Sequence, residues 1–284
     1  MSDSILFSVI VPTYHRNNLL AKCLDCLAPE VQILPANQYE VIVTDDGSTT
    51  TAEQMILEGY HWVRWVMGPR KGPAANRNNG ARYAQGSWLV FTDDDCLPNS
   101  GWLSSFAAAI VPDTYVYEGR TICEAGIHSP LEHAPINLTG GYLWSCNMMV
   151  QTKLFQELNG FDENFPHPHM EDVDLRDRIQ LAGYMFNFIE NAVVEHPVKK
   201  FLLNNKIGKL HECEIYYWHR KRKQKFRKSL FLFQLIKVRV RTILRFSLSW
   251  DSVIAVASLM LEILYVLRKL SYWYQKYPLE TKLE

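Results

Sequence analysis

Three consecutive carboxylates, Asp93, Asp94 and Asp95, stand at the end of the apolar run WLVFT, in the segment FTDDDC. Like charges side by side repel and raise one another's pKa. Such a strand mouth asks for a cation, a hydrogen-bonding ligand, or plain exposure to water. A hard divalent ion such as Mg2+ or Mn2+ takes oxygen ligands, typically one or two carboxylates plus substrate phosphates. In an extended segment Asp93 and Asp95 project to one face and could share one ion; a solvated turn would carry the same residues. A second acidic pair, Asp45–Asp46, lies in TDDGST. Carboxylates there can accept hydrogen bonds from a base N–H or a ribose hydroxyl, or cap the next helix. A third pair, Glu171–Asp172, opens EDVDLRDRI. One of its acids could take a proton from a hydroxyl nucleophile while its neighbour orients that hydroxyl. The macrodipole favours acids in a helix's first turn in any case.

The elements that must position these acids alternate in kind. Residues 6–11 (LFSVIV), 39–44 (YEVIVT), 61–67 and 88–92 read as strands, the unbroken apolar runs being those of strands buried on both faces. Residues 18–27 and 51–58 carry helical spacing, and 72–85 reads as a loop feeding a helix. Strands alternating with helices predict βαβ units and a parallel sheet, in which ligands bind outside the carboxyl ends of the strands. Thr13, Tyr14 and Arg16 follow the first strand, Asp45 and Asp46 the second, and Asp93–Asp95 the fourth. Further on, 140–150 reads as a Gly-led loop entering a strand, 152–158 as a short helix and 169–181 as a helix. Residues 186–189 and 192–194 are strand material ending at His196–Pro197.

The net charge of zero hides an asymmetry. Residues 1–198 hold 11 Lys/Arg and 24 Asp/Glu, and residues 199–284 hold 19 and 6. This divides the chain into an acidic α/β domain, 1–198, and a basic, amphipathic helical C-terminal region, 199–284. Within the latter, residues 220–228 (RKRKQKFRK) contain seven cations. Residues 253–267 (VIAVASLMLEILYVL) are interrupted by Glu262 and fall short of the roughly 20 apolar residues a spanning helix needs. The combination predicts helices lying in a membrane interface, with Trp250, Tyr265, Tyr272, Trp273 and Tyr274 as anchors; homodimer or intramolecular packing, and a true membrane span, are the alternatives. Cys23 and Cys26 have CxxC spacing without a second pair or His pair, so they read as ordinary helix residues. The N-terminal apolar run lacks a cationic leader and stops at Pro12, as a strand does; a cytosolic setting is the expectation.

Taken together, VIVPTYHR, VIVTDDGST, GPAANRNNGARYAQGSWLVFTDDDC, CNMMVQTKLFQELNGFDENF and EDVDLRDRI resemble, in order and spacing, family 2 glycosyltransferases with the GT-A fold. The resemblance covers about residues 5–196. It implies an inverting transferase that moves a sugar from a nucleotide, usually UDP, to a hydroxyl. Pro12, Thr13, Tyr14, Arg16, Asp45, Asp46, Arg77, Asp93 and Asp94 would then line the nucleotide-sugar. Asp95 and His196 would hold Mn2+ or Mg2+, Asp172 would be the general base, and Glu171, Trp144 and Asn147 would face the acceptor. The acceptor would be a lipid-linked or cell-surface glycan at the inner face of the plasma membrane, with the tail on anionic lipid. Three other readings compete: a nucleotidyltransferase, which would show a glycine-rich phosphate loop after the first strand; a basic-tailed binder of nucleic acid; and a nucleotide- or lipid-binding protein without activity. PTYHRNN has no such glycines, and the aliphatic and aromatic residues around the cations suit lipid better than nucleic acid.

Overall fold

The computed structural model of the chain describes residues 5–200, 208–224 and 227–279. Ten strands occur among them: β1 (Phe7–Thr13), β2 (Tyr39–Asp45), β3 (Val63–Met67), β4 (Trp88–Phe91), β5 (Leu97–Pro98), β6 (Val116–Ile122), β7 (Glu132–His133), β8 (Met148–Gln151), β9 (Asn187–Glu195) and β10 (Lys199–Lys200). Nine α-helices accompany them: α1 (Asn17–Leu27), α2 (Glu53–Gly59), α3 (Pro73–Tyr83), α4 (Trp102–Ala109), α5 (Thr152–Glu157), α6 (Glu171–Leu181), α7 (His211–Tyr216), α8 (Lys228–Ile243) and α9 (Trp250–Lys276).

The chain divides into two compact units. The first comprises Met1–Glu124, Pro135–Glu163 and Glu171–Pro197; the second comprises Ala125–Ala134, Asn164–Met170 and Val198–Glu284.

The first unit is built on an eight-stranded sheet of order β3-β2-β1-β4-β8-β6-β9-β5. β3, β2, β1 and β4 run parallel, β8 is antiparallel to both of its neighbours, β6 and β9 are parallel, and β5 is antiparallel to β9. Every residue of β1 is buried, and its side chains alternate between two cores. Phe7, Val9 and Val11 pack on one face with Leu20, Leu24 and Phe106; Ile10 packs on the other with Phe91, Phe155 and Ile179. This two-sided burial is why these strands read as continuous rather than alternating apolar runs. The predicted pair at 186–189 and 192–194 is one strand, β9, whose pairing with β6 shifts register between Gly119 and Arg120. A Cβ on Gly119 would lie 2.3 Å from the Ala192 carbonyl oxygen, so only glycine admits that approach.

In the second unit, β7 and β10 form a two-stranded ribbon. Its core joins Ile215 of α7 to Phe231 and Leu235 of α8 and to Leu259, Val266, Leu270 and Trp273 of α9. Among the described residues no helix is long and apolar enough to cross a membrane. Two expectations for this region change. Trp273 is fully buried, and Tyr265 and Tyr274 pack against the core, so of the five aromatic anchors only Trp250 and Tyr272 are exposed. Glu262 faces inward, where Arg239 donates to it at 2.9 and 3.0 Å and His211 Nε2 lies 2.9 Å away. Lys225 and Phe226, within the basic run, lie outside the described residues.

Candidate functional site

The carboxyl edge of the first unit's sheet collects the predicted acids. β4 ends at Phe91, and the chain turns through Asp93–Asp95 into β5, whose Leu97 pairs with Glu195 at the end of β9. That pairing brings His196 beside the acids although about a hundred residues separate them in sequence. Single ligand atoms of Asp93, Asp95, Cys96 and His196 all lie within 4.8 Å of one another. His196 Nε2 is 3.7 Å from Asp95 Oδ1, while Nδ1 lies 2.8 Å from the Pro197 carbonyl oxygen. A carbonyl only accepts, so Nδ1 carries a hydrogen and Nε2 is the ring nitrogen turned toward Asp95. The 3.7 Å gap is less than two metal–oxygen bonds of ~2.1 Å. The Cys96 thiol is buried and held well above its usual pKa by that burial and by the neighbouring Cys146. Beside that thiol stand carboxylate oxygens of Asp93 and Asp95 and the imidazole nitrogen of His196. This set fits a hard or borderline divalent ion such as Mg2+ or Mn2+.

Two arginines pair with the three acids. Arg16, just beyond β1, donates from Nε to Asp94 Oδ2 at 3.1 Å and from Nη1 to Asp95 Oδ2 at 2.9 Å, and its Nη2 also contacts Asp94. Thr13 Oγ1 donates to Asp94 at 2.7 Å. Burial still pushes the Asp94 carboxyl up to about 6, against the pull of Arg16 and Thr13. Buried Arg77, in α3, reaches Asp93 Oδ1 at 2.6 Å and Glu171 Oε1 at 3.5 Å. A single guanidinium therefore ties the strand-end acids to the start of α6.

α3 can hold Arg77 there because its polar residues face inward. Asn76 Nδ2 donates to the Thr44 carbonyl at 2.8 Å and to Thr13 O at 3.3 Å, at the ends of β2 and β1. Asn78 is bonded to both backbone groups of Phe161. A Cβ on Gly80 would lie 2.6 Å from Ile10 Cγ2, so the absent side chain lets α3 lie close on β1. Arg77 of this helix was an expected site residue, but the asparagines that hold it were not. Their signal, three asparagines and two arginines inside PAANRNNGARY, is a helix too polar to be held by apolar packing alone.

On α6, Asp174 is bonded to Arg178 at 2.8 Å, and Arg178 also donates to the Leu158 and Gly160 carbonyls, each at 2.6 Å. Asp172 is half-buried and accepts from the Val173 N–H at 2.8 Å.

Several other expected site residues make bonds or packing contacts within the protein. Asp45 accepts from the Gly47 and Ala52 N–H groups at 2.7 and 2.6 Å, and Asp46 from those of Arg70 and Gly72 at 2.8 and 3.0 Å. The buried Asn147 amide joins Trp102 Nε1, the Arg120 carbonyl and the Ala192 carbonyl. Pro12 is buried within β1, whereas Tyr14 is 58% exposed. Trp144 stacks on Tyr142, rings 5.2 Å apart and 20° from parallel. Their loop is gripped by buried Glu118, which accepts from Tyr142 N, Leu143 N and Asn137 Nδ2 at 3.1, 2.8 and 2.9 Å. It runs into β8, whose Met148 pairs with Phe91, so the aromatic pair belongs to the same edge as the acids.

The chain is similar to known proteins. Residues 8–157 match the model of glycosyl transferase family 2. Validoxylamine A glucosyltransferase of Streptomyces hygroscopicus subsp. jinggangensis is 27% identical over 222 residues, covering 63% of this chain and 52% of that protein. The chain thus spans about half the length of this relative. S. aureus TarS 1-349 in complex with UDP-GlcNAc superposes with a TM-score of 0.58 at 20% identity, over 98% of this chain and 77% of that one. Mannosyltransferase PcManGT of Pyrobaculum calidifontis, in complex with GDP-Man and Mn2+, gives 0.56 at 17% identity, over 95% and 80%. These likenesses show a common fold, the GT-A arrangement of a mostly parallel sheet flanked by helices.

Proposed function

Because the chain belongs to glycosyl transferase family 2, we propose that it transfers a sugar, with inversion and with a divalent metal, from a nucleotide-sugar to a glycan hydroxyl. The observation that carries this reading is the Arg77 bridge, which sets the acids after β4 against the first turn of α6.

In this reading Asp95 and His196 hold the metal, Mn2+ or Mg2+, with Asp93 alongside. When bound, the ion neutralises charge that develops on the departing diphosphate. Thr13, Tyr14, Arg16 and Asp94 face the nucleotide. Asp46, or its neighbour Asp45, contacts the base or ribose from the end of the second strand. Asp172 takes the proton from the acceptor hydroxyl as its oxygen attacks the anomeric carbon; the bond from that carbon to the diphosphate breaks, and the electron pair leaves with the nucleotide. Glu171, held by Arg77, orients the hydroxyl. The Tyr142–Trp144 stack offers a flat apolar face to a sugar ring of the acceptor. UDP is the preferred nucleotide, and a lipid-linked or cell-envelope glycan at the inner face of the plasma membrane the preferred acceptor. Residues 1–198 would form the catalytic domain, with residues 199–284 holding the enzyme to that membrane.

A thermal-shift panel of UDP, GDP, dTDP and CMP, each with Mn2+, Mg2+ or EDTA, tests the donor and metal. A ligand at 100 times its Kd adds about 2.7 kcal/mol of stability. Stabilisation by one nucleotide, lost in EDTA, is the expected result. No stabilisation by any nucleotide would remove the donor site from the acids after β4.

A further inference from the structure

The second unit displays more apolar surface than its own core uses. α9 buries Ser252, Ala255, Leu259, Glu262, Val266, Leu270 and Trp273, spaced three or four residues apart, toward α7 and α8. Val253, Val256, Met260, Leu264 and Leu267 recur with the same spacing yet stay exposed, Met260 by 61%. At 3.6 residues per turn the second stripe lies about 120° around the helix from the first. α8 repeats the pattern. Phe231 and Leu235 are buried, while Leu230, Phe233, Val240 and Leu244 form an exposed stripe. Leu248 and Trp250, between the helices and at the start of α9, are 98% and 81% exposed.

The charges around these stripes are mostly positive. Lys237, Arg241, Arg245, Arg268 and Lys269 are all exposed. Between Lys228 and Lys276 the chain has only two acids, Asp251 and Glu262. Glu262 is buried and engaged by Arg239 and His211. We propose that the exposed stripes of α8 and α9, with their flanking cations, are a docking surface for an anionic phospholipid bilayer, the helices lying in its interface. This deepens the membrane attachment named above.

Charge complementarity selects this occupant. A second copy meeting the surface about a two-fold axis would set these cations against themselves. Nucleic acid would satisfy the cations but leave the leucines and Trp250 in water. A bilayer interface supplies hydrocarbon for the stripe and phosphate for its flanks.

Flotation of the full chain on vesicles reads this whether or not sugar is transferred, so its failure and that of the transferase reading are separable. Phosphatidylglycerol–phosphatidylethanolamine vesicles should carry the protein up, and pure phosphatidylcholine vesicles much less of it. Lys237→Gln with Arg241→Gln should lower partitioning roughly 20- to 30-fold, at about fivefold per cation near an anionic surface. Met260→Glu with Leu264→Glu should abolish flotation without changing the melting temperature, since both side chains are exposed. Leu248→Ser with Trp250→Ser is the second variant should that pair fail to fold. Four results overturn the proposal: no flotation, flotation indifferent to lipid charge and to the variants, a two-chain mass by light scattering that the glutamates dissociate while vesicles are ignored, or nucleic-acid binding without vesicle binding.

Discussion

His196 Nε2 faces Asp95 Oδ1 across 3.7 Å, its ring held by Nδ1 against the Pro197 carbonyl. The two groups come from the ends of β9 and β4, and the short β5–β9 pairing sets them side by side, with the His196 backbone N–H donating to the Ile122 carbonyl. Together they could hold a shared cation. His196→Ala should weaken Mn2+ binding at least about tenfold, a magnitude typical of disturbed metal environments. Calorimetric titration of Mn2+ into the nucleotide-bound protein checks it; unchanged affinity would exclude His196 as a ligand.

Asp172 and Asp174 should separate in their effects. Asp172→Asn should lower kcat about 10²- to 10⁴-fold, the range for loss of a general base, with donor affinity and melting temperature kept. Asp174→Asn should instead cost stability, about 1–3 kcal/mol for a buried charged hydrogen bond left incomplete, because its partner Arg178 also supports two loop carbonyls. Steady-state kinetics beside urea unfolding distinguish the two; equal activity losses from both would contradict the assignment.

Arg77→Met should destabilise the first unit by about 3–5 kcal/mol, the cost of removing one partner from a buried ion pair. Asp93 and Glu171 would be left facing each other without their shared cation. Arg77→Lys should recover only part of this, since one ammonium point charge replaces a planar fork with two ends. Denaturant midpoints of the three proteins give the order.

The second unit should show its own pH dependence. Burial pulls His211 down, but hydrogen bonds and charges from Glu214 and Glu262 outweigh it and hold the ring at about 9, above its ordinary 6.5. That contribution is complete below 6.5 and is lost as pH rises through 9. Burial pushes Glu214 up, yet His169 and His211 bring it down to about 2 from 4.5. Its contribution is complete above 4.5 and is lost as pH falls through 2. Hydrogen exchange of α9 should therefore be slowest, after correction for intrinsic rate, between about pH 4.5 and 6.5. Glu214→Gln should flatten both limbs, because the groups titrate as one coupled set. A monotonic profile would show the network to be energetically idle.

Much of the sheet was legible because its signal is local. Unbroken β-branched runs such as VIVP and YEVIVT declare strands buried on both faces, and the alternation with helices declares parallel pairing. The acids at three strand ends follow from that pattern. Tyr265, Trp273 and Tyr274 were misread because composition marks an aromatic residue without saying which side of a helix it occupies. The exposed stripe and the buried stripe of α9 are equally apolar, and only packing against Phe231 and Leu235 tells them apart.

The sequence by itself determined the fold class, the family and the edge on which the acids stand. The tertiary structure decided what each polar residue is bonded to. It bonds Asn147 to three framework groups and Arg77 to the carboxylates of Asp93 and Glu171. The reason is physical: hydrophobic periodicity is written over a few consecutive residues. The partner of a buried charge, by contrast, can come from 94 residues away, as Arg77 does for Glu171, and comes into reach only when the sheet has formed.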